Sequence, residues 1–345
     1  MFWSFLSALL IGGLLGFVFQ RSRFCLTGGF RDMYLAKNHR MFYALLIAIS
    51  VQSIGVLTLM ELGYIGSPYK DFSLFSIVIG SILFGISIIL ASGCATGTWY
   101  HAGEGLISSW VALIMYMISA AAMRFGALSD FTKAMGQYGK MNENLAATLG
   151  ISVWWLVALL IAVTVFGVYK ILSKPTIKIA TLPARYTGLR HYLFEKKLHP
   201  FIAGILVGLL AFAAWAVNGL DGKTAGLGIT GPSANIVMFL TTGEMKRINW
   251  GVFLVLGIML GSYIAAKGSR EFKWRMPDLK TFRNSVVGGL LMGVGASLAG
   301  GCTIGNGLTA TAVMSAKGWI SLFFIMVGVW IMCYFVYVRP TKQIN

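Results

Sequence analysis

The sequence predicts an all-α polytopic membrane protein, with about nine transmembrane helices and four short re-entrant helices in two inverted repeats. Three observations carry this reading. Of 345 residues, 57% are hydrophobic and 11% charged, with a mean hydropathy of +0.77; a soluble domain carries about 25% charged residues. Nine stretches are long and apolar enough, some with their flanks, to cross about 30 Å of hydrocarbon. Two related motifs, SGCATG at 92–97 and GGCTIG at 300–305, end hydrophobic runs 208 positions apart.

The expected spans lie near 2–20, 41–60, 73–92, 106–123, 150–171, 199–217, 249–267, 285–300 and 318–338. The first lacks a basic leader and a small-residue cleavage site, so it is expected to be retained. Four shorter stretches, 25–37, 94–105, 230–242 and 302–315, are rich in Gly, Thr, Ser and Asn. Each is too short to cross. Non-helical backbone at membrane depth survives only where protein buries it or it lines a wet cavity, so these read as re-entrant half-helices.

The net charge of +17 does not indicate nucleic acid, because the basic residues cluster in loops. Stretch 21–40 carries five, 170–198 seven and 267–284 six, and Arg339 and Lys342 close the chain. With the N-terminus outside, these twenty fall on the cytoplasmic side and seven fall outside, with Lys317 beside a re-entrant segment. The positive-inside rule then places the N-terminus in the periplasm and the C-terminus in the cytoplasm.

Shifting the chain by 208 lays VIGSILFGISIILASGCATGT (78–98) over VVGGLLMGVGASLAGGCTIGN (286–306), with nine of 21 positions identical. The same shift aligns the second span with the seventh, and LTGG at 26–29 overlays ITGP at 229–232. One membrane domain, 1–345, is therefore expected, with a first repeat at 1–123 and a second at 199–345. A fifth span and a basic cytoplasmic loop, 124–198, link them. The odd number of spans inverts one repeat against the other. Discontinuous helices in inverted repeats are an architecture of secondary transporters, with the site near the midplane.

The topology sends Cys25 and Cys94 in from the cytoplasmic side and Cys302 from outside. Half-helix starts present unpaired N–H groups and a partial positive charge, which suits an anion. Gly28, Gly93, Gly97, Gly231, Gly301 and Gly305 let backbone approach it. Thr27, Thr96, Thr230, Thr303 and Asn306 bring polar side chains to the same segments. A thiol adds a weak donor on a soft, polarizable sulfur, fitting a soft ligand such as a sulfur anion. The order Cys302, Cys94, Cys25 then forms a relay, which requires the thiols to stay protonated. Cys333, inside the last span, reads as a packing residue. Arg21 and Arg23 either draw an anion inward or anchor the first span, and Glu104 pairs with a nearby cation. No metal-ligand spacing, C-x-x-C pair or nucleotide-binding loop is present, so no metal, cofactor or built-in pump is expected.

QRSRFCLTGGFRDMYLAKNHRMFYALLIAISVQSIG (20–55), SGCATGTWYHAGEG (92–105), INWGVFLVLGIMLGSYIAAKGSREF (248–272) and GGCTIGNGL (300–308) resemble the YeeE/YedE family of bacterial inner-membrane sulphur-transport proteins. The match covers nearly the whole chain and looks closest to the YeeE thiosulfate-uptake branch. The resemblance implies an hourglass-shaped bundle and uptake of thiosulfate from the periplasm for cysteine synthesis. It implies that Cys302, Cys94 and Cys25 pass the ion inward by S–H···S hydrogen bonds. It also implies a small TusA-like (YeeD-type) sulfurtransferase as a cytoplasmic partner. A non-enzymatic transporter is the leading expectation. The alternatives are a membrane thiol or persulfide oxidoreductase, a scaffold for the sulfurtransferase, and a transporter of a related sulfur or selenium compound.

Overall fold

The computed structural model describes residues 2–173, 187–188 and 190–342. Part of the basic stretch at 170–198, with Lys174, Lys178 and Arg185, lies outside the described residues. The described residues are mostly helical, with one short strand pair. Helix α1 (Phe2–Ser22) is followed by the short α2 (Leu26–Leu35), then by α3 (Arg40–Glu61) and α4 (Leu74–Leu90). A second short helix, α5 (Ala95–Gly103), precedes α6 (Ile107–Arg124). Two surface helices, α7 (Ser129–Met135) and α8 (Leu145–Leu149), lead into α9 (Val153–Leu172). The second half runs through α10 (Pro200–Leu220), the 13-residue α11 (Thr230–Thr242), α12 (Trp250–Gly268) and α13 (Leu279–Leu298). A π-helical turn at Gly305–Ala310 then precedes α14 (Ala316–Cys333).

Among the described residues, eight helical segments are long and apolar enough to cross a membrane. The expected span at 285–300 corresponds to α13, which is as long as its neighbours but opens with the polar turn LKTFRN. Its apolar part starts only at Ser285, and from there it is packed between α4 and α6. The four short stretches expected to be re-entrant contain α2, α5, α11 and the π-helical turn.

Lipid offers no hydrophobic drive for helix association, so close backbone packing must supply it. Helix α1 lies parallel to α12, where a Cβ at Gly12 or Gly16 would strike the Leu254 or Ile258 carbonyl. The packing comes in matched sets. As α1 runs beside α12, α10 runs parallel to α3, with Gly204 and Gly208 against Ala44 and Ala48. As α6 runs beside α13, α14 runs parallel to α4, joined by the buried Ser81–Ser321 hydrogen bond of 2.8 Å. Helices α4 and α13 cross antiparallel between these sets.

Small backbone bridges tie down both ends of the bundle. At one end the Gly105 carbonyl accepts from Arg275 N–H (3.1 Å), and Ile107 N–H donates to the Arg275 carbonyl (3.2 Å). At the other, Ala316 N–H donates to the Glu143 carbonyl (2.9 Å). There a two-residue strand, Phe72–Ser73, also pairs antiparallel with Lys140–Met141.

Candidate functional site

Each cysteine of interest sits where a long helix stops and a short one begins. Helix α4 closes with the Gly93 N–H donating to the Ile88 carbonyl (3.0 Å), and α13 closes with Gly301 N–H donating to Ala296 (2.9 Å). Both closures place the preceding residue in the left-handed region, Ser92 at φ +56° and Gly300 at φ +69°. This 6→1 closure is a Schellman stop, and it explains why the two glycine-bracketed motifs share a pattern. The chain then re-enters. Cys94 is the N-cap of α5, with its sulfur accepting from Gly97 N–H at 3.4 Å. Cys25 is the N-cap of α2, in extended conformation, with its carbonyl accepting from Gly29 N–H at 2.9 Å. The Cys302 carbonyl accepts from Asn306 N–H at 2.8 Å, which starts the π-helical turn.

Two cavities approach this region from opposite ends of the bundle. One, of about 330 Å³, lies among the C-terminal ends of α6, α10 and α13 and the start of α14. It is lined by Cys302, Thr230, Gly231, Gly301, Gly305 and Asn306, with Arg124, Glu143 and Lys317 at its polar wall. The other, of about 400 Å³, lies at the C-terminal end of α1 and α4 and the start of α3. It is lined by Cys25, Thr27 and Gly28 together with Arg23, Arg31, Tyr100 and His101. Gly93, Cys94, Thr96, Gly97 and Thr303 line neither cavity. Cys94 and Cys302 are buried, while Cys25 is partly exposed. The Cys94 thiol lies beside the Thr303 hydroxyl and within electrostatic reach of both Cys302 and Cys25. An apolar void too small for water, lined by Leu15, Phe19, Ile229 and Ile304, flanks Thr96 in the same layer. The buried Cys94 thus lies in protein between the two cavities, beside an apolar void too small for water.

The buried hydroxyls of Thr27, Thr96 and Thr303 have no hydrogen-bond partner of ordinary geometry. Leaving such a group unpaired costs about 1–3 kcal/mol each. All three fall one or two residues after a cysteine. Thr230 and Asn306 are occupied differently. Thr230 accepts from the Tyr116 hydroxyl at 2.9 Å. The Asn306 side-chain NH₂ donates to the Ala299 and Gly301 carbonyls and to Ser321 (2.8, 3.3 and 3.0 Å). Its donors are spent holding the Cys302 loop in shape. Cys333 is buried at the C-terminal end of α14.

The two cavities differ in charge. At the Cys302 end, among the described residues, neither Arg124 nor Lys317 makes an ion pair. The nearby Glu143 carboxylate is engaged by the Ser315 hydroxyl (2.7 Å) and Lys70 N–H (2.8 Å). The cations lie against the start of α11 and the turn after α13. A Cβ at Gly231 would meet Arg124 Nη1 at 2.7 Å, and one at Gly300 would meet Lys317 Nζ at 2.9 Å. Among the described residues, both arginines that line the Cys25 cavity are paired. Arg23 binds Glu104 at 2.6 Å and Glu271 at 2.9 Å, and Arg31 binds Asp32 at 2.9 Å. His101 Nδ1 lies 3.0 Å from Glu104, and Arg21 lies 3.9 Å from Glu271. Burial pushes the Glu104 carboxyl up, but hydrogen bonds and charge from His101 and Arg23 outweigh it and hold the group below the usual carboxylate range. Glu104 thus finds the cation its sequence context calls for. Arg124 and Lys317 escape a motif-based reading, because cations at span ends ordinarily read as headgroup anchors.

The sulphur-transport family profile matches this chain over residues 21–331. The chain belongs to the sulphur-transport family. It is 55% identical to the thiosulfate transporter TsuA of Escherichia coli (strain K12) over 343 residues, 99% of this chain and 97% of that one. It is 32% identical to the thiosulfate transporter TsuA of Spirochaeta thermophila over 354 aligned residues, 98% of this chain and all of that one. The probable transporter YedE of Escherichia coli is 32% identical over 136 residues, 39% of this chain and 33% of its own. This sulphur-transport family member carries all three cysteines within the matched span.

Proposed function

We propose that this chain is a non-enzymatic transporter that takes up thiosulfate across the bacterial inner membrane. The observation that carries the reading is the pair of cavities meeting at the buried Cys94 layer, with Cys302 lining one and Cys25 the other. The two close relatives named as thiosulfate transporters support the choice of ion. The N-terminus lies in the periplasm and the C-terminus in the cytoplasm, as the distribution of basic residues requires. The Cys302 cavity is then the entrance. Residues 1–123 and 199–345 are inverted repeats joined by 124–198, a division supported by the matched helix packing.

In this mechanism Arg124 and Lys317 draw the dianion to the Cys302 cavity, where charge-assisted contacts replace part of its hydration. The Cys302 thiol, the Thr303 hydroxyl and the Cys94 thiol then donate in turn to the sulfur and oxygens of the ion. Thr96 and Thr27 receive it on the far side, and Cys25 releases it into the second cavity. Such handover suits thiols because a protonated S–H donates weakly and lets go readily. A membrane potential negative inside opposes dianion entry by roughly 2.3 kcal/mol per charge per 100 mV. Steep consumption of thiosulfate in the cytoplasm, by a TusA-like sulfurtransferase docked at the Cys25 end, drives net uptake.

The test is growth of a bacterial strain with no other route for thiosulfate, given thiosulfate as its sole sulfur source. The wild-type chain is expected to support growth, Cys302→Ala and Cys25→Ala to lose it, and Cys333→Ala to keep it. Full growth with Cys302→Ala would remove the relay. No growth with the wild type would remove thiosulfate as the substrate.

A further inference from the structure

We propose that Glu104 and Glu271 act as built-in competitors for the transported anion: by occupying Arg23, they keep the rim of the Cys25 cavity from retaining it. The inference rests on the transport reading and adds positioning residues to the release step.

Arg23 lines the Cys25 cavity two residues before Cys25, in a left-handed conformation at φ +52° that turns α1 into α2. Its guanidinium is 44% exposed and faces two carboxylates from other parts of the fold. Glu104, the C-cap of α5, takes Nη1 at 2.6 Å, and Glu271, just after α12, takes Nη2 at 2.9 Å. Glu271 is itself oriented by Gln20 Nε2 at 2.7 Å. An unpaired guanidinium at this point would be a bidentate oxyanion site directly in the exit. The residues that fold around it instead hand it two internal oxyanions. The opposite end lacks this arrangement, since the Glu143 oxygens are held by Ser315 and the Lys70 amide rather than by Arg124 or Lys317. The same ion thus meets cations without a direct ion pair at one end, with Glu143 nearby, and cations in direct ion pairs at the other.

The prediction is over-retention. In proteoliposomes, Glu271→Gln frees one Arg23 nitrogen and also withdraws the carboxylate that lies 3.9 Å from the buried Arg21, an effect that the double variant below carries equally. Uptake of labelled thiosulfate should then show Vmax and KM falling together, each by about tenfold, the size of one charge-assisted hydrogen bond. Glu104→Asp should keep wild-type values, since it keeps the carboxylate. The deciding variant is Arg23→Gln combined with Glu271→Gln: with no guanidinium to expose, release should return to near the wild-type rate. A purely structural defect would lower Vmax without lowering KM and would not be rescued. Unchanged kinetics in Glu271→Gln, or a double variant as slow as Glu271→Gln alone, overturns the inference while leaving transport intact. Wild-type protein that moves no thiosulfate overturns the transport reading and this inference with it.

Discussion

The two cavities have similar volumes, about 330 and 400 Å³, and each reaches a cysteine, yet they are opposites in electrostatics. At the Cys302 end, among the described residues, Arg124 and Lys317 make no ion pair, and their charged ends approach Gly231 in the first turn of α11 and Gly300 after α13. At the Cys25 end Arg23, Arg31 and His101 are each matched by a carboxylate. Repeat architecture would allow both ends to be alike. In the proposed mechanism this difference gives the path a direction for an anion: cations without ion pairs concentrate it at one mouth, and paired cations let it leave at the other.

The comparison breaks most completely if the layer between the cavities is changed. Cys94→Ala removes the one thiol that lies within reach of both others, and uptake in proteoliposomes should fall about a hundredfold or more, because the lost donor leaves a buried ion unpaired. Wild-type uptake by Cys94→Ala would mean that the ion crosses elsewhere.

Making the Cys302 end as neutral as the Cys25 end is the next largest change. Arg124→Gln should raise KM about tenfold with little loss of Vmax, and Lys317→Gln should do the same more weakly. Raising the salt concentration should blunt wild-type uptake more than that of either variant, through screening. A drop in Vmax at constant KM would place Arg124 in the fold rather than in capture.

A smaller effect separates function from stability. The Thr96 hydroxyl is buried without a partner, so Thr96→Val should stabilise the protein by about 1 kcal/mol, seen as a higher thermal midpoint in detergent. Uptake should fall several-fold. A lower midpoint would show that the hydroxyl has a partner in the resting protein.

The smallest effect concerns pH and the paired end. Because His101 and Arg23 hold the folded Glu104 carboxyl below its ordinary range, it contributes stability that is fully present above the unfolded value. That value is about 4.3 for an ordinary Glu. The contribution is lost as pH falls through the lower folded value. The thermal midpoint of the wild type should therefore drop more between about pH 5 and 3 than that of Glu104→Gln. Parallel curves would show that Glu104 carries no net pairing energy.

Much of the fold is written in the sequence because a membrane restricts the choices. Apolar length marks the spans, and the glycine-cysteine-glycine brackets mark where α4 and α13 stop and re-enter. The bounds of α13 are less legible, because its opening stretch, LKTFRN, is polar and largely exposed and is held in the helix by the Asp278 cap, whose carboxylate accepts from Thr281 N–H at 3.4 Å. The helices α7 and α8 and the paired strands at 72–73 and 140–141 carry no strong periodicity: α7 is set by packing on α6 and α13, the strands by the Ser73 hydroxyl donating to the Met135 and Tyr138 carbonyls, and the start of α8 by the bridge from Asn144 to Ser315. In the site, the cysteines and their neighbouring threonines are found by motif. Asn306 looks like a donor for the ion from its sequence position, but only coordinates reveal that its NH₂ group holds the loop. Arg124 and Lys317 have a faint signal: the face assigned to the outside carries few cations, so those at span ends there deserve more weight than the many on the other face.

Passage through the Cys94 layer is the central claim, and it is tested most directly by thiosulfate labelled on both sulfurs, offered to sealed proteoliposomes. The account predicts that both labels reach the lumen together as thiosulfate, and that Cys94→Ala stops both. One label arriving without the other, or both arriving at the wild-type rate in Cys94→Ala, would contradict it.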